Sequence, residues 1–244
     1  LEQALAEFDA IPTPGPYGVK ARLHRAFILE KRGDVDGAIA TLEEIIENHP
    51  KEEDGYLYLG NMYETLKRYD EAEAVLRQGL KMAPGHQRLH FRLGVVLDKM
   101  GDRDDSIIEM EKVIALDPED ANALNYLGYS LAEMGVRLEE AEEFIKRALE
   151  IKPEDGYITD SLGWVYFKMG RHSEALVWIQ KALDRLPEDP LITEHLGDTY
   201  QALGRWREAQ EAYERALRLG HENPEQLESK LEESKKKARI EGTQ

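Results

Sequence analysis

Histidine and carboxylate are the side chains in this 244-residue chain best able to hold a metal or move protons: seven His, 49 Asp and Glu, and no Cys. The one tight histidine pair is His86 and His90 in "HQRLH". Their context places His86 in a loop and His90 on a helix, so the two do not converge on a tetrahedral site and no zinc or other metal is expected. Among the carboxylates, Glu139, Glu140, Glu142 and Glu143 are closely spaced, but Glu142 to Lys146 and Glu143 to Arg147 are i,i+4 pairs. That spacing describes a charged, solvated helix face rather than a general acid and base. The chain has no Gly-rich phosphate loop, no His-Glu-x-x-His run and no Gly-x-Ser-x-Gly elbow. The expectation is a protein with no catalytic residue, no metal and no cofactor, hence not an enzyme.

Composition narrows the partners. The formal charge of −17 repels both a phosphate backbone and an anionic bilayer surface, which argues against nucleic acid. A hydrophobic fraction of 41% suffices for a buried core. No apolar run approaches the roughly 18 residues of a membrane helix, so no membrane insertion is expected.

The elements that position these side chains are set by a repeat. Leu-Gly recurs at 59–60, 93–94, 127–128, 162–163 and 196–197, with Arg25-Ala26 in the same place upstream. Small residues follow in register at Ala38, Ala72, Ser106, Ala141, Ala175 and Ala209, and prolines close the first five copies at Pro50, Pro84, Pro118, Pro153 and Pro187. The spacing predicts six repeats, 19–52, 53–86, 87–120, 121–155, 156–189 and 190–223, each of two helices of about 14 residues around a short turn. A single hairpin of this kind cannot bury both apolar faces, whereas stacked neighbours bury them in a continuous core. Gly163, inside a helix at a cost of roughly 1 kcal/mol, is expected to be a close contact between paired helices.

These marks resemble the tetratricopeptide repeat, whose 34-residue pattern carries Leu-Gly, Ala, Ala and Pro at the same offsets; the resemblance covers residues 19–223. It departs locally: the first repeat lacks Leu-Gly, the fourth has an extra residue in "MGVRLEEA", and the usual fourth-position aromatic survives only as Tyr56. The resemblance implies an all-α, right-handed superhelical solenoid of antiparallel helix pairs. "NALNYLGYSLAEMG" and "DGYITDSLGWVYFKMG" further resemble the C-terminal repeats of long bacterial proteins of this family.

At the ends, residues 1–10 read as the second helix of a preceding repeat, joined through the Pro-rich connector "IPTPGPYG" and taken with it as segment 1–18. The chain is accordingly expected to be a fragment of something longer. Gly220 can end the last repeat, and Asn223 and Pro224 can open a helix running to about residue 240, with Leu227 and Leu231 as a narrow apolar stripe. Segment 224–244 is expected to be a solvating C-terminal capping helix and tail.

The resemblance implies that first helices line a concave groove that binds a peptide or protein. Projection puts Arg88, Arg92, Asn122, Asn125, Tyr129, Tyr157, Asp160, Trp164, Phe167 and Lys168 in or at the rim of that groove. Amides suit a peptide backbone and aromatics supply contact area, although Tyr129 and Trp164 are equally placed to pack between first helices. Arg88 and Arg92 match the last two basic positions of the family's carboxylate clamp, but Leu23, Phe27 and Tyr58 replace its other members, so only an anionic group on a partner is implied. The expected function is a non-catalytic scaffold or adaptor. Two alternatives stand beside it: a regulatory or substrate-recruiting region of a larger enzyme or envelope protease or secretion complex, and a self-assembly module. Location stays open between cytoplasm and bacterial envelope or periplasm.

Overall fold

The computed structural model describes residues 2–12, 15 and 17–241; of the connector, Thr13, Pro14 and Pro16 lie outside the described residues, as do Leu1 and residues 242–244. Every element among the described residues is α-helical, and the chain divides into two compact modules, Leu1–Pro118 and Glu119–Gln244. The N-terminal module holds α1 (Glu2–Asp9), α2 (Gly18–Lys31), α3 (Val35–Asn48), α4 (Glu53–Thr65), α5 (Tyr69–Met82), α6 (Gln87–Met100) and α7 (Arg103–Leu116). The C-terminal module holds α8 (Ala121–Met134), α9 (Leu138–Ile151), α10 (Gly156–Lys168), α11 (His172–Arg185), α12 (Pro190–Ala202), α13 (Trp206–Arg218) and α14 (Pro224–Glu241). Within each module the closest packing is between consecutive helices such as α6 and α7 or α10 and α11.

The sequence sets the boundaries through a repeated device. Pro-Glu-Asp stands before α8, α10 and α12; the proline interrupts helical hydrogen bonding, and Asp120, Asp155 and Asp189 then cap the following helix by accepting from the backbone N–H groups of Ala123, Ile158 and Ile192. Each cap contributes about 1 kcal/mol. The mid-repeat turns use a left-handed residue, glycine at Gly101 (φ 90°) and Gly170 (φ 75°) but Lys67 (φ 58°) after α4. Lys67→Gly is expected to stabilise the chain by about 0.5–1 kcal/mol in urea unfolding, because relief of roughly 1–2 kcal/mol of left-handed strain exceeds glycine's entropic cost. The extra residue of the fourth copy is taken up between α8 and α9, where Gly135 (φ 68°) and Arg137 (φ 50°) are both left-handed.

The small residues sit at helix crossings. Ala38, Ala72, Ala141, Ala175 and Ala209 are all fully buried. At Gly163 a Cβ would lie 2.6 Å from Ile179 Cγ1 and 3.1 Å from the Ile179 backbone nitrogen, so α10 and α11 touch through that glycine as its position predicts. The core of the N-terminal module runs through Leu42, Ile45, Tyr56, Leu57, Leu76, Leu89 and Leu93, whereas in the C-terminal module α14 closes over Ala209, Tyr213 and Ala216 with Leu227 and Leu231.

Candidate functional site

In the N-terminal module the candidate residues stand on α6 and face α4. Arg88 Nη1 lies 3.5 Å from Asp54 Oδ1, and Arg92 Nη1 lies 3.5 Å from Glu64 Oε2. Such solvent-exposed pairs contribute about 0–1 kcal/mol, so a partner's carboxylate can replace the internal one at little cost. Nearby first helices carry large apolar side chains at the surface, Phe27 at 51% and Tyr58 at 43% exposure, with the Lys31 ammonium 5.3 Å from the Phe27 ring centre.

In the C-terminal module the projected residues separate into open and packed sets. Tyr157 on α10 is 58% exposed and Leu191, at the same repeat position on α12, is 44% exposed. Asn122 is exposed and its Oδ1 accepts from Lys152 Nζ at 2.8 Å. Asn125 is half-buried, with a sequestered Oδ1 that has no partner. Phe167 and Lys168 are half-buried over Trp164, one ring centre at 4.7 Å and the ammonium at 5.1 Å.

Of the residues projected in or at the rim of the groove, Asp160 is buried rather than open, and Trp164 takes the packed of its two placements; both lie against α12. The Asp160 Oδ2 is 2.8 Å from His195 Nδ1, and the His195 ring stacks on Trp164 at 4.0 Å. Trp164 Nε1 donates to Glu133. Trp164, the residue after the Leu-Gly pair and the ninth of its repeat, therefore faces the next first helix here, because a histidine on α12 offers it a flat partner.

Around this stack lies an ionic network that spacing alone does not reveal. Glu194 Oε1 accepts from Lys230 Nζ at 2.7 Å, its Oε2 is 2.7 Å from His221 Nε2, and Lys230 also reaches Asp198 at 2.7 Å. Tyr213 donates to Asp198 at 2.7 Å. Burial by itself would raise the Glu194 pKa, but the Lys230 hydrogen bond and charge outweigh it and hold the carboxyl below its usual range. Tyr129 remains a phenol, its pKa pushed up by burial and then by the Glu133, Asp160 and Glu194 charges. A cavity of about 490 Å³ opens here, lined among others by Tyr129, Glu133, Trp164, His195, Asp198 and Lys230. Lys230 comes from α14, so the capping helix, read in the sequence as Leu227 and Leu231 alone, also docks by charge.

His86, His90 and Glu142 are engaged by their own surroundings. His86 caps α6, its Nδ1 accepting from the Leu89 N–H at 3.2 Å; both His90 ring nitrogens are engaged, with Glu109 at 2.6 Å and the Pro84 carbonyl at 2.8 Å. Glu142 bridges Lys146, Arg171 and the Tyr166 hydroxyl. Burial by itself would raise the Glu142 pKa, but the Lys146 and Tyr166 hydrogen bonds, with the Lys146 and Arg171 charges, outweigh it and hold the carboxyl below its usual range. Among the described residues no three His, Asp or Glu side chains converge to hold a metal, and no helix is long and apolar enough to cross a membrane.

Comparison with known proteins gives a consistent frame. The family model of the cilia and flagella-associated protein 70 C-terminal domain matches residues 2–237. The chain is 32% identical over 184 residues to the TPR repeat-containing protein PA4667 of Pseudomonas aeruginosa, covering 71% of this chain and 29% of that protein. It is 35% identical over 126 residues to the protein O-mannosyl-transferase Tmtc1 of Drosophila melanogaster, covering 50% of this chain and 15% of that one. The chain thus spans less than a third of the length of either relative. Among solved structures, the type IV pilus biogenesis factor PilW superimposes with a TM-score of 0.74 at 22% identity, covering 87% of this chain and 99% of that chain. A chain of the APC/C hetero-tetramer Cut9–Hcn1 gives 0.74 at 18% identity, covering 96% of this chain and 46% of that one. At these identities the likeness is one of fold: an all-α helical repeat solenoid.

Proposed function

We propose, from the premise that the chain belongs to the tetratricopeptide-repeat family of the cilia and flagella-associated protein 70 C-terminal domain, that it is a non-catalytic scaffold binding a protein or peptide on its first helices. The fold is one of protein–protein interaction in general; the surface used is our reading. In it, the six repeats 19–52, 53–86, 87–120, 121–155, 156–189 and 190–223 are the structural modules of the scaffold, segment 1–18 leads into them and 224–244 caps them. Arg88 and Arg92 serve in one module, and Asn122, Asn125, Tyr129, Tyr157, Phe167 and Lys168 in the other. Asp160 and Trp164 act from beneath by fixing that surface.

The observation that carries this reading is the exposure of Tyr157 and Leu191 at one repeat position on neighbouring helices α10 and α12. Large apolar side chains left in water mark a contact surface, and tyrosine is a frequent anchor there. Tyr157→Ala with Leu191→Ala is expected to reduce recovery of at least one protein in affinity capture about tenfold, with unchanged far-ultraviolet circular dichroism. Unchanged capture of every protein overturns the assignment of this surface. Turnover by the purified chain on a panel of hydrolase and transferase substrates overturns the non-catalytic reading.

A second reading is favoured by the match to an O-mannosyl-transferase, of which this chain would correspond to a repeat-bearing region. In that case the same surfaces recruit or regulate for a catalytic domain in the same polypeptide.

A further inference from the structure

The closing helix α14 departs from the repeat at the Leu-Gly pair. That pair stands at 162–163 and 196–197, and one 34-residue period further on the same two places hold Lys230 and Leu231. In α8 and α10 the leucine of the pair, Leu127 and Leu162, is buried. Lys230 is half-buried instead, and its ammonium lies 2.7 Å from Glu194 and 2.7 Å from Asp198, both on α12. The other partners of these two acids are His221 Nε2, 2.7 Å from Glu194, and the Tyr213 hydroxyl, 2.7 Å from Asp198. A single ammonium thus joins α14 to α12 where the repeat elsewhere places a leucine.

The rest of the buried side of α14 is poor in apolar surface. It consists of Leu227, Leu231 and Ser234, whereas α8 buries Leu124, Leu127 and Leu131 with small residues between them. Ser234 donates to Gln201 Oε1 at 3.0 Å, and its carbonyl accepts from Gln210 Nε2 at 3.2 Å. A leucine seam comes apart only by exposing apolar surface, but an ion pair can be exchanged for another with no charge left unmatched. The helix also borders the first-helix surface: Gln226 and Lys230 line the 490 Å³ cavity together with Tyr129, Trp164 and Leu191. A segment that contacts Leu191 therefore reaches the edge of α14.

We propose that α14 is a displaceable lid, an internal ligand at the α12 end of the first-helix surface, and that a helical segment of a partner protein takes its place. That segment carries the pattern of Leu227, Lys230 and Leu231: two leucines one turn apart, with a lysine or arginine directly before the second. The occupant is indicated by α14 itself, a helix of that pattern already seated on the site. The incoming cation meets Glu194 and Asp198 in place of Lys230, whereas an acid there would add a third carboxylate to two. Tethered through the short connector 219–223, α14 acts at an effective concentration on the order of 1 mM, so the closed state is the default. A partner that also holds Leu191 gains the extra affinity needed to open it. The lid rests on the reading that first helices bind a partner, and it adds the control of access to that surface.

The test uses the full chain and a fluorescent synthetic peptide of the sequence Pro224–Glu241, with binding followed by anisotropy and amide hydrogen exchange read in parallel. Lys230→Met in the chain is expected to raise exchange at amides 227–234 about tenfold while α12 and α13 stay protected. The same variant is expected to bind the peptide about tenfold more tightly than the native chain does, because its own helix competes less well. Lys230→Arg keeps the cation and is expected to match the native chain in both measurements. A peptide carrying K230E is expected to bind none of the three. Unchanged exchange in Lys230→Met, exchange that rises equally across α12 and α13, no preference of the peptide for Lys230→Met, or equal binding of the K230E peptide overturns the lid. None of these readouts involves Tyr157 or a captured protein, so the lid can fall while the first-helix surface stands, and that surface falls only on its own capture experiment.

Discussion

Replacing His195 with leucine is expected to lower the unfolding free energy by about 3–5 kcal/mol at neutral pH, measured by urea unfolding followed by circular dichroism. The imidazole is almost wholly buried and is the partner of an equally buried carboxylate, Asp160, whose other oxygen already has no hydrogen bond. Leucine has a suitable volume but leaves that carboxylate sequestered and unpaired, which is the costly half of breaking a buried pair. The indole of Trp164 loses its stacking partner at the same time. The pair also sets a pH dependence. Burial by itself would lower the His195 pKa, but the Asp160 charge and hydrogen bond, with Asp198 and Glu194 behind, outweigh it and hold the pKa above the ordinary value near 6.5. Because the folded value exceeds the unfolded one, this contribution is complete below about pH 6.5 and declines as pH rises through the folded value. The stability difference between the native chain and His195→Leu should therefore shrink from pH 6.5 upward; a difference that grows over that range sinks this account.

Gly163→Val is expected to destabilise the C-terminal module by about 3 kcal/mol, at the upper end of what overpacking costs. The first added carbon already falls 2.6 Å from Ile179 Cγ1 and 3.3 Å from the Ala175 carbonyl oxygen, so α10 and α11 must separate. Gly163→Ala tests the balance more finely. Alanine gains about 1 kcal/mol of helix propensity, and a net loss despite that gain locates the cost in the crossing itself. Urea unfolding of the two variants side by side supplies both values, and a stabilised alanine variant refutes the crossing as the reason for the glycine.

The fold was legible because its marks are local and recur. Leu-Gly, the small in-register residues and the closing prolines each act within or beside one helix pair, so a fixed period exposes them. The candidate surface was legible only in part. Tyr157 and Asn122, each at the second residue of its helix, are exposed. Trp164 at the ninth position lies where a residue can face either the open side or the next helix, and what decides is the type of residue that helix presents. His195 lies 31 residues beyond Trp164 and 35 beyond Asp160, and no motif links them. Lys230 reaches Glu194 and Asp198 by an equally unmarked route. Charge networks between repeats depend on pairs of side chains that the repeat itself leaves free to vary, which is why periodicity does not find them.

The division into two compact modules has an optical consequence. Trp164, Trp178 and Trp206, the only tryptophans in the chain, all belong to the module Glu119–Gln244. Light absorbed at the red edge of the protein band is therefore emitted from one half of the molecule alone, while the other half is spectroscopically dark. Emission and ellipticity recorded on one sample consequently weigh the halves differently, and superimposable curves from the two signals would show that both halves come apart as one body.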